Sequence, residues 1–454
     1  MKDLSTSASL QRLLAPLRRW LLLGVGFVGL PARSFAAEPT SPALRAQVEA
    51  ERRALRLLAR SDIQQSLRLL EGQWRDSSPG LLPETYAQLR ASIQEVGLFV
   101  ALEVVDGDPR RPQVIEISAA PHHWFGVNVP GGRWGINNPD TLYFTIPVEP
   151  DSSYVINGQR HSPGPTDSNF TLQTPDLFGA VENVGHRSLK LASDGSYRIT
   201  VDSQPANGRP NHLQIRGGAT QVLIRNTLAD WSREAPDALT VERVAGPDAA
   251  LPLSDEALAK EVLRRLAAVV AHSVNDLQPP IFRHPENFIP QPGVLADKPG
   301  FLVTQRNALG HFRLSDDEAL VATFDPADAG YATFPVTNVW GISPDSRTHQ
   351  NSLNTKQAAL SPDGTVTVVV SNWDPGIVNW IDPAGLREGI VMLRWQLLAP
   401  QTSASSGPAV TARLVNRKEL LAALPESIRR ITPKDRRQQS KDRATTFDRR
   451  FTAR

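Results

Sequence analysis

The sequence predicts a mainly β protein with helical additions, an α+β chain of two tandem β-sandwich or jelly-roll-like units bridged by helices. Three observations predict it. Asp194-Gly195 opens a strand-like stretch that runs on to Pro205, Asn211, Gly217 and Arg225, and Asp363-Gly364 opens a second that runs to Pro375, Asn379, Gly385 and Arg394. The Asn-to-Gly step is 6 residues in both, and the Asn-to-Arg steps are 14 and 15. Trp134-Gly135-Ile136 with Pro139-Asp140 returns as Trp340-Gly341-Ile342 with Pro344-Asp345. Finally, 37 prolines and 30 glycines in 454 residues gather between short apolar runs, as expected for many turns joining short strands.

Residues 1–37 read as a signal peptide. Arg12, Arg18 and Arg19 precede the apolar run from Trp20 to Leu30, and Ser34-Phe35-Ala36 is a small-x-small cleavage signal. The run is too short to span a bilayer. A periplasmic or secreted location follows, with the Arg18-Arg19 pair adding twin-arginine export as an alternative to the ordinary secretory route. The chain has no cysteine, which excludes disulfides, thiolate chemistry and a cysteine lipid anchor.

Residues 38–112 read as a helical segment. Ser41-Pro42 is an N-cap and N1 pair, and a second helix is expected from Pro83 to about Val104. The first β unit is expected over 113–247, with alternating runs such as Ser196–Val201 and a hairpin turn at Asn157-Gly158. A bridging region, 248–318, opens with an amphipathic helix capped by Ser254 and closed by Pro279-Pro280, followed by irregular chain. The second β unit is expected over 319–400, with Thr365–Val370 and Ile390–Leu397 as its best strands. Residues 401–454 read as a basic, disordered tail, because Glu426–Arg454 holds ten Lys/Arg against four Asp/Glu and few apolar residues. Such a tail suits an anionic envelope surface, whereas the overall charge of +2 carries no nucleic-acid signature.

The blocks Asn138-Pro139-Asp140-Thr141-Leu142-Tyr143 and Asn211 with Gly218–Arg225 and Asp230-Trp231 resemble bacterial proteins carrying domain of unknown function 1214. So do Asn338–Ile342 with Arg347 and Gln350–Asn354, and Asp374-Pro375-Gly376 with Asn379-Trp380 and Arg394-Trp395. The resemblance covers most of Ala119 to Leu398. It implies a β-sandwich core with helical additions and brings no assigned activity or site.

Polar residues beside tryptophan make the candidate site. Arg347, His349 and Asn351 would share one face of a strand, and with Trp340, Asn354, Asn379, Trp380 and Arg394 could hold a carboxylate, sulfate or sugar hydroxyls. Arg133, Asn138 and Asn211 are the first-unit counterparts. A cleft at the junction of the two units, lined by the Trp-Gly-Ile segments, is the expected place for a small polar or glycan-like ligand. The alternatives are a cofactor-independent hydrolase or lyase using His349, Asp374, His123, Asp140 and Tyr143 as acid, base or anion stabiliser, and a non-catalytic envelope protein using the tail. No metal is expected, since His-x-His and Glu-x-x-His are missing. No P-loop, nucleophile elbow or dinucleotide fingerprint points to a cofactor.

Overall fold

Two β-sandwiches repeat one strand plan, strand for strand. In the computed structural model, which describes residues 39, 41–174, 179–294, 302, 304–399 and 407–452, the first unit's five-stranded sheet has the spatial order Ile115–Glu116, Thr141–Pro147, Gln221–Thr227, Asp167–Gln173, Ala180–Gly185. Facing it are Ala238–Ala245, Ser153–Gln159, Ser196–Asp202 and His212–Gln214. The second unit has Gly293–Val294, Arg306–Arg313, Glu388–Gln396, Tyr331–Thr337 and Ser352–Asn354 against Ala409–Asn416, Glu318–Asp325, Val366–Val370 and Trp380–Ile381. Each four-stranded sheet ends in a parallel pair, in an otherwise antiparallel plan. The signal peptide expected at 1–37 lies outside the described residues.

The repeated residues do repeated local work. Asp194 Oδ1 accepts Ser196 N–H at 2.9 Å and Asp363 Oδ1 accepts Thr365 N–H at 3.0 Å, closing matching turns with Gly195 and Gly364 at φ +82° and +85°. Alternation then sends Val222, Ile224, Phe170 and Leu172 into the first sandwich core, and Val391, Leu393, Phe334 and Val336 into the second. The opposite faces of these strands are polar and also buried. Every residue of Asp167–Gln173, Gln221–Thr227, Tyr331–Thr337 and Glu388–Gln396 is inside the protein. These outer faces lie partly against each other and partly under helices.

The helices Pro42–Leu58, Ser61–Asp76, Pro83–Val105 and Asp255–His272 share one core cluster with Ile115 and Leu223 of the first unit and Val339 and Trp340 of the second. Ser41 and Ser254 cap the first and last of them, accepting Leu44 N–H at 3.1 Å and Ala257 N–H at 3.2 Å. Pro83–Val105 has no cap of its own, because Leu82 stands at that position. The second unit supplies one. Buried Glu388 accepts Leu82 N–H at 2.8 Å and the Thr85 hydroxyl at 2.7 Å, and also contacts His311 at 3.1 Å and Arg313. Burial alone would raise the Glu388 pKa, but its bonds from His311, Leu82, Arg313 and Thr85 outweigh this and hold it at about 2.

The structure corrects four expectations. Asn157-Gly158 is inside a strand, where a Cβ on Gly158 would overlap the Tyr197 ring; the glycine lets that ring lie flat so that its hydroxyl reaches Asp237 at 2.8 Å. Pro279-Pro280 does not close the bridging helix, which runs through a π segment, Ser273–Leu277, into Pro279–Phe282. The second unit begins before 319, since Arg306–Arg313 pairs along the whole of Glu388–Gln396. The tail is built into the fold. Ala409–Asn416 pairs with Glu318–Asp325, and Pro433–Thr452 is a helix. Its buried stripe is Arg436, Arg443, Phe447 and Arg450, so composition conceals its helical spacing. Arg443 stacks over Trp231 at 4.5 Å and donates to the carbonyls of Ser346 and His349 at 2.8 and 3.1 Å. Burial pulls its pKa down to about 10.

Two outcomes are expected. Trypsin should leave Pro433–Thr452 attached to the native protein despite its many basic residues, whereas a disordered tail would be cut within the first minutes of digestion. Glu388→Gln should destabilise by about 3–5 kcal/mol in denaturant titration. Because the folded pKa of Glu388 lies below its unfolded value, its contribution is complete above about pH 4.5 and is lost as pH falls towards about 2. The unfolding free energy of the variant should therefore depend less steeply on pH across that window.

Candidate functional site

The two Trp-Gly-Ile segments meet where the sandwiches join. Ile136 N–H donates to the Gly341 carbonyl at 3.0 Å, and Asn137 and Ser343 exchange hydrogen bonds of 2.9 and 3.1 Å. Gly341 sits at φ +78°, and a Cβ there would lie 3.0 Å from Ile136 N, so glycine is required. Ile136 itself has φ +58°, a left-handed conformation that costs a β-branched residue about 1–3 kcal/mol. The two triplets are not repeat equivalents. Trp134 precedes Thr141–Pro147, whereas Trp340 follows Tyr331–Thr337, the counterpart of Asp167–Gln173. They are complementary halves of one contact.

Asp140 ties the same junction. Fully buried, it accepts Trp231 Nε1 at 2.9 Å from its own unit and, from the other, Tyr331 hydroxyl at 2.7 Å, Asn354 Nδ2 at 3.0 Å and Thr333 hydroxyl at 3.3 Å. Asn138 Nδ2 adds a 2.9 Å bond to the Tyr331 oxygen. Burial and then the neighbouring Asp140 charge push the Tyr331 pKa up, which keeps its hydroxyl a donor.

Beside this junction lies a cavity of about 110 Å³ between the polar outer faces. Arg225 and Tyr143 line it from the first unit, Arg394 and Gln396 from the second, and Glu103 from helix Pro83–Val105. The two arginines hold matching register positions: Arg225 lies between Tyr143 and Asn169, Arg394 between Asn307 and Thr333. Burial lowers both guanidinium pKa values and raises that of Glu103, which faces Arg265 at 3.8 Å. Arg394 donates to the carbonyls of Met392, at 3.1 Å, and Ile136. Gln173 also lines the cavity, fully buried, and neither of its amide atoms has a hydrogen-bond partner among the described residues. Trp134 forms another wall, packed on Phe99 at 5.4 Å and held by a 2.9 Å bond to Ser273 in the π segment. π segments and strained residues such as Ile136 recur at ligand sites. The cavity presents cationic forks, primary amides and a phenol, which can grip and orient a small polar molecule.

Three of the sequence candidates, Tyr143, Asn138 and Arg394, line this cavity. Asp140 and Asn354 belong to the hub next to it. The others are placed elsewhere. Arg347, His349 and Asn351 share no strand face, because 346–348 form a turn: Arg347 pairs with exposed Asp448 at 2.7 Å, His349 with Asp382 at 2.8 Å, and Asn351 donates to the Pro344 carbonyl at 2.8 Å. Asn211 and Asn379 are loop clamps, each bonding the N–H and carbonyl of one residue, Lys190 and Ala359 respectively. Asp374 pairs with Arg436 at 3.0 Å, and that guanidinium covers Trp380. Trp340 is buried on Trp74 and donates to the Thr85 carbonyl at 2.9 Å. Arg133 forks onto Glu95 at 2.6 and 2.7 Å, and His123 stands exposed on the hairpin His122–Trp124 with Val127–Val129. Sequence reasoning missed Gln173, Gln396 and Glu103. The available signal was Glu103 in the otherwise apolar run 96–105; the strand of Gln173, Asp167–Gln173, is too polar to give one.

No family model matches the chain, and no curated protein matches it, so the resemblance to domain of unknown function 1214 rests on its motifs. Among solved structures, an uncharacterized protein from Burkholderia cenocepacia is similar at 26% identity and a TM-score of 0.67, covering 82% of this chain and 100% of that one. A Vibrio parahaemolyticus protein aligns at 10% identity with a TM-score of 0.37, over 61% of this chain and 90% of that one.

Asp140→Ala should cost about 3–5 kcal/mol in chemical denaturation, since it strands four donors inside the junction. Arg347→Ala should change stability by no more than about 0.5 kcal/mol, because its partner is exposed.

Proposed function

We propose that this is an exported binding protein that holds a small polar ligand in the cavity between its two β units. The observation that carries this reading is Gln173. A primary amide fully buried on a cavity wall, with both its donor and its acceptor unanswered among the described residues, favours a polar occupant. Two guanidinium groups at matching register and the strained Ile136, held between the cavity-lining Gly135 and Asn137, support the same place. The signal-like segment 1–37 supports a periplasmic or secreted setting.

Thermal-shift screening of the purified protein against organic acids, amides, polyols and sugars tests this. At about 100 times its Kd, a true ligand stabilises the native state by about 2.7 kcal/mol, a shift of a few degrees. Gln173→Leu should abolish that shift. A screen without any stabilising compound, or a shift that persists in Gln173→Leu, would remove the cavity as the binding site.

A further inference from the structure

We infer that the ligand of the inter-unit cavity is a small organic monocarboxylate seated on Arg394 and completed by Gln173. This rests on the binding reading above. Size is the first argument. An apolar cavity of about 150 Å³ accepts benzene, with its six heavy atoms, so about 110 Å³ accommodates a molecule of at most about six. A hexose does not fit inside it.

Charge is the second. Arg394 is buried and, among the described residues, forms no ion pair; its described bonds go to main-chain carbonyls. Asp140, whose charge reaches it, already takes four donors, and Glu103 on the same cavity wall faces Arg265 at 3.8 Å. A buried cation without a counter-charge is costly, and a carboxylate brought by the ligand supplies one. The planar guanidinium matches two carboxylate oxygens, which an ammonium would not.

The remaining walls narrow the class. Gln173 offers one donor and one acceptor side, suited to a carboxylate oxygen together with a neighbouring hydroxyl. Glu103 lines the same cavity and accepts from Gln221, so a second ligand carboxylate on that side would meet a carboxyl group and not a cation. Monocarboxylates, with or without a hydroxyl, are therefore favoured over dicarboxylates and neutral polyols.

Isothermal titration of the purified protein with propionate, lactate, succinate, propionamide and glycerol tests the assignment. Propionate or lactate should bind about ten-fold or more tightly than propionamide and succinate, the discrimination expected of a charge-assisted bond. Arg394→Gln should cost the acids about ten-fold or more. Gln173→Glu, nearly isosteric and so the deciding variant should Arg394→Gln fail to fold, should do the same by placing a like charge in the cavity. Propionamide or glycerol binding as tightly as propionate, or acid binding unchanged in both variants, would overturn the carboxylate assignment and leave the cavity as a neutral-ligand site. If none of the five probes binds, the assignment also falls, and a screen equally blank would end the binding reading with it.

Discussion

The fold depends on burying two polar sheet faces against each other, and Asp140 is what makes that burial tolerable. In a free-standing sandwich the outer face of an antiparallel sheet is wetted, and its polar side chains need no protein partner. Here water is replaced by the opposite unit and the helical layer. Each donor brought inward must then find an acceptor, and a single carboxylate serves four of them across the two units. Trp231, which gives Asp140 one of its bonds, also carries the guanidinium groups of Arg443 and Arg450 from the last helix. The junction, the docking of the chain end and the shape of the cavity beside them thus share one set of contacts.

Much of the architecture was legible. The duplicated Asp-Gly to Arg spacing marks strands that occupy identical places in the two sheets, and the reason is local: the same Asx turn launches each strand and the same asparagine clamps the loop before the next. What the spacing could not show was extent. Arg306–Arg313 and Ala409–Asn416 pair with strands far along the chain, so their membership is decided by register rather than by their own sequence. The last helix was hidden for another reason. Its inward face is arginine, and arginine packs inward only when carbonyl groups and aromatic rings wait for it, which no periodicity of apolar residues records.

The junction was legible in outline; the make-up of the cavity beside it was not. Trp-Gly-Ile segments did mark the junction, yet as an interlocking pair and not as two copies of one element. Asn211 and Asn379 carried a strong repeat signal because they hold backbone, the commonest work for asparagine in turns. Gln173 and Gln396 carried none, because a glutamine alternating with apolar residues reads as a wetted position until a second sheet is laid over it.

Glu388 closes the helix that begins at Pro83, and the bond joins residues 306 positions apart. The first turn of that helix therefore has no acceptor from Glu388 while the chain is still being made, although its own sequence is long since synthesised. Native closure of the helical layer is tied to completion of the second sandwich, a non-local search that slows folding. Until residue 388 arrives, the outer polar face of the first sandwich lacks part of what covers it in the finished fold. The two halves repeat one strand plan, but in assembly they are not independent: the second finishes the first.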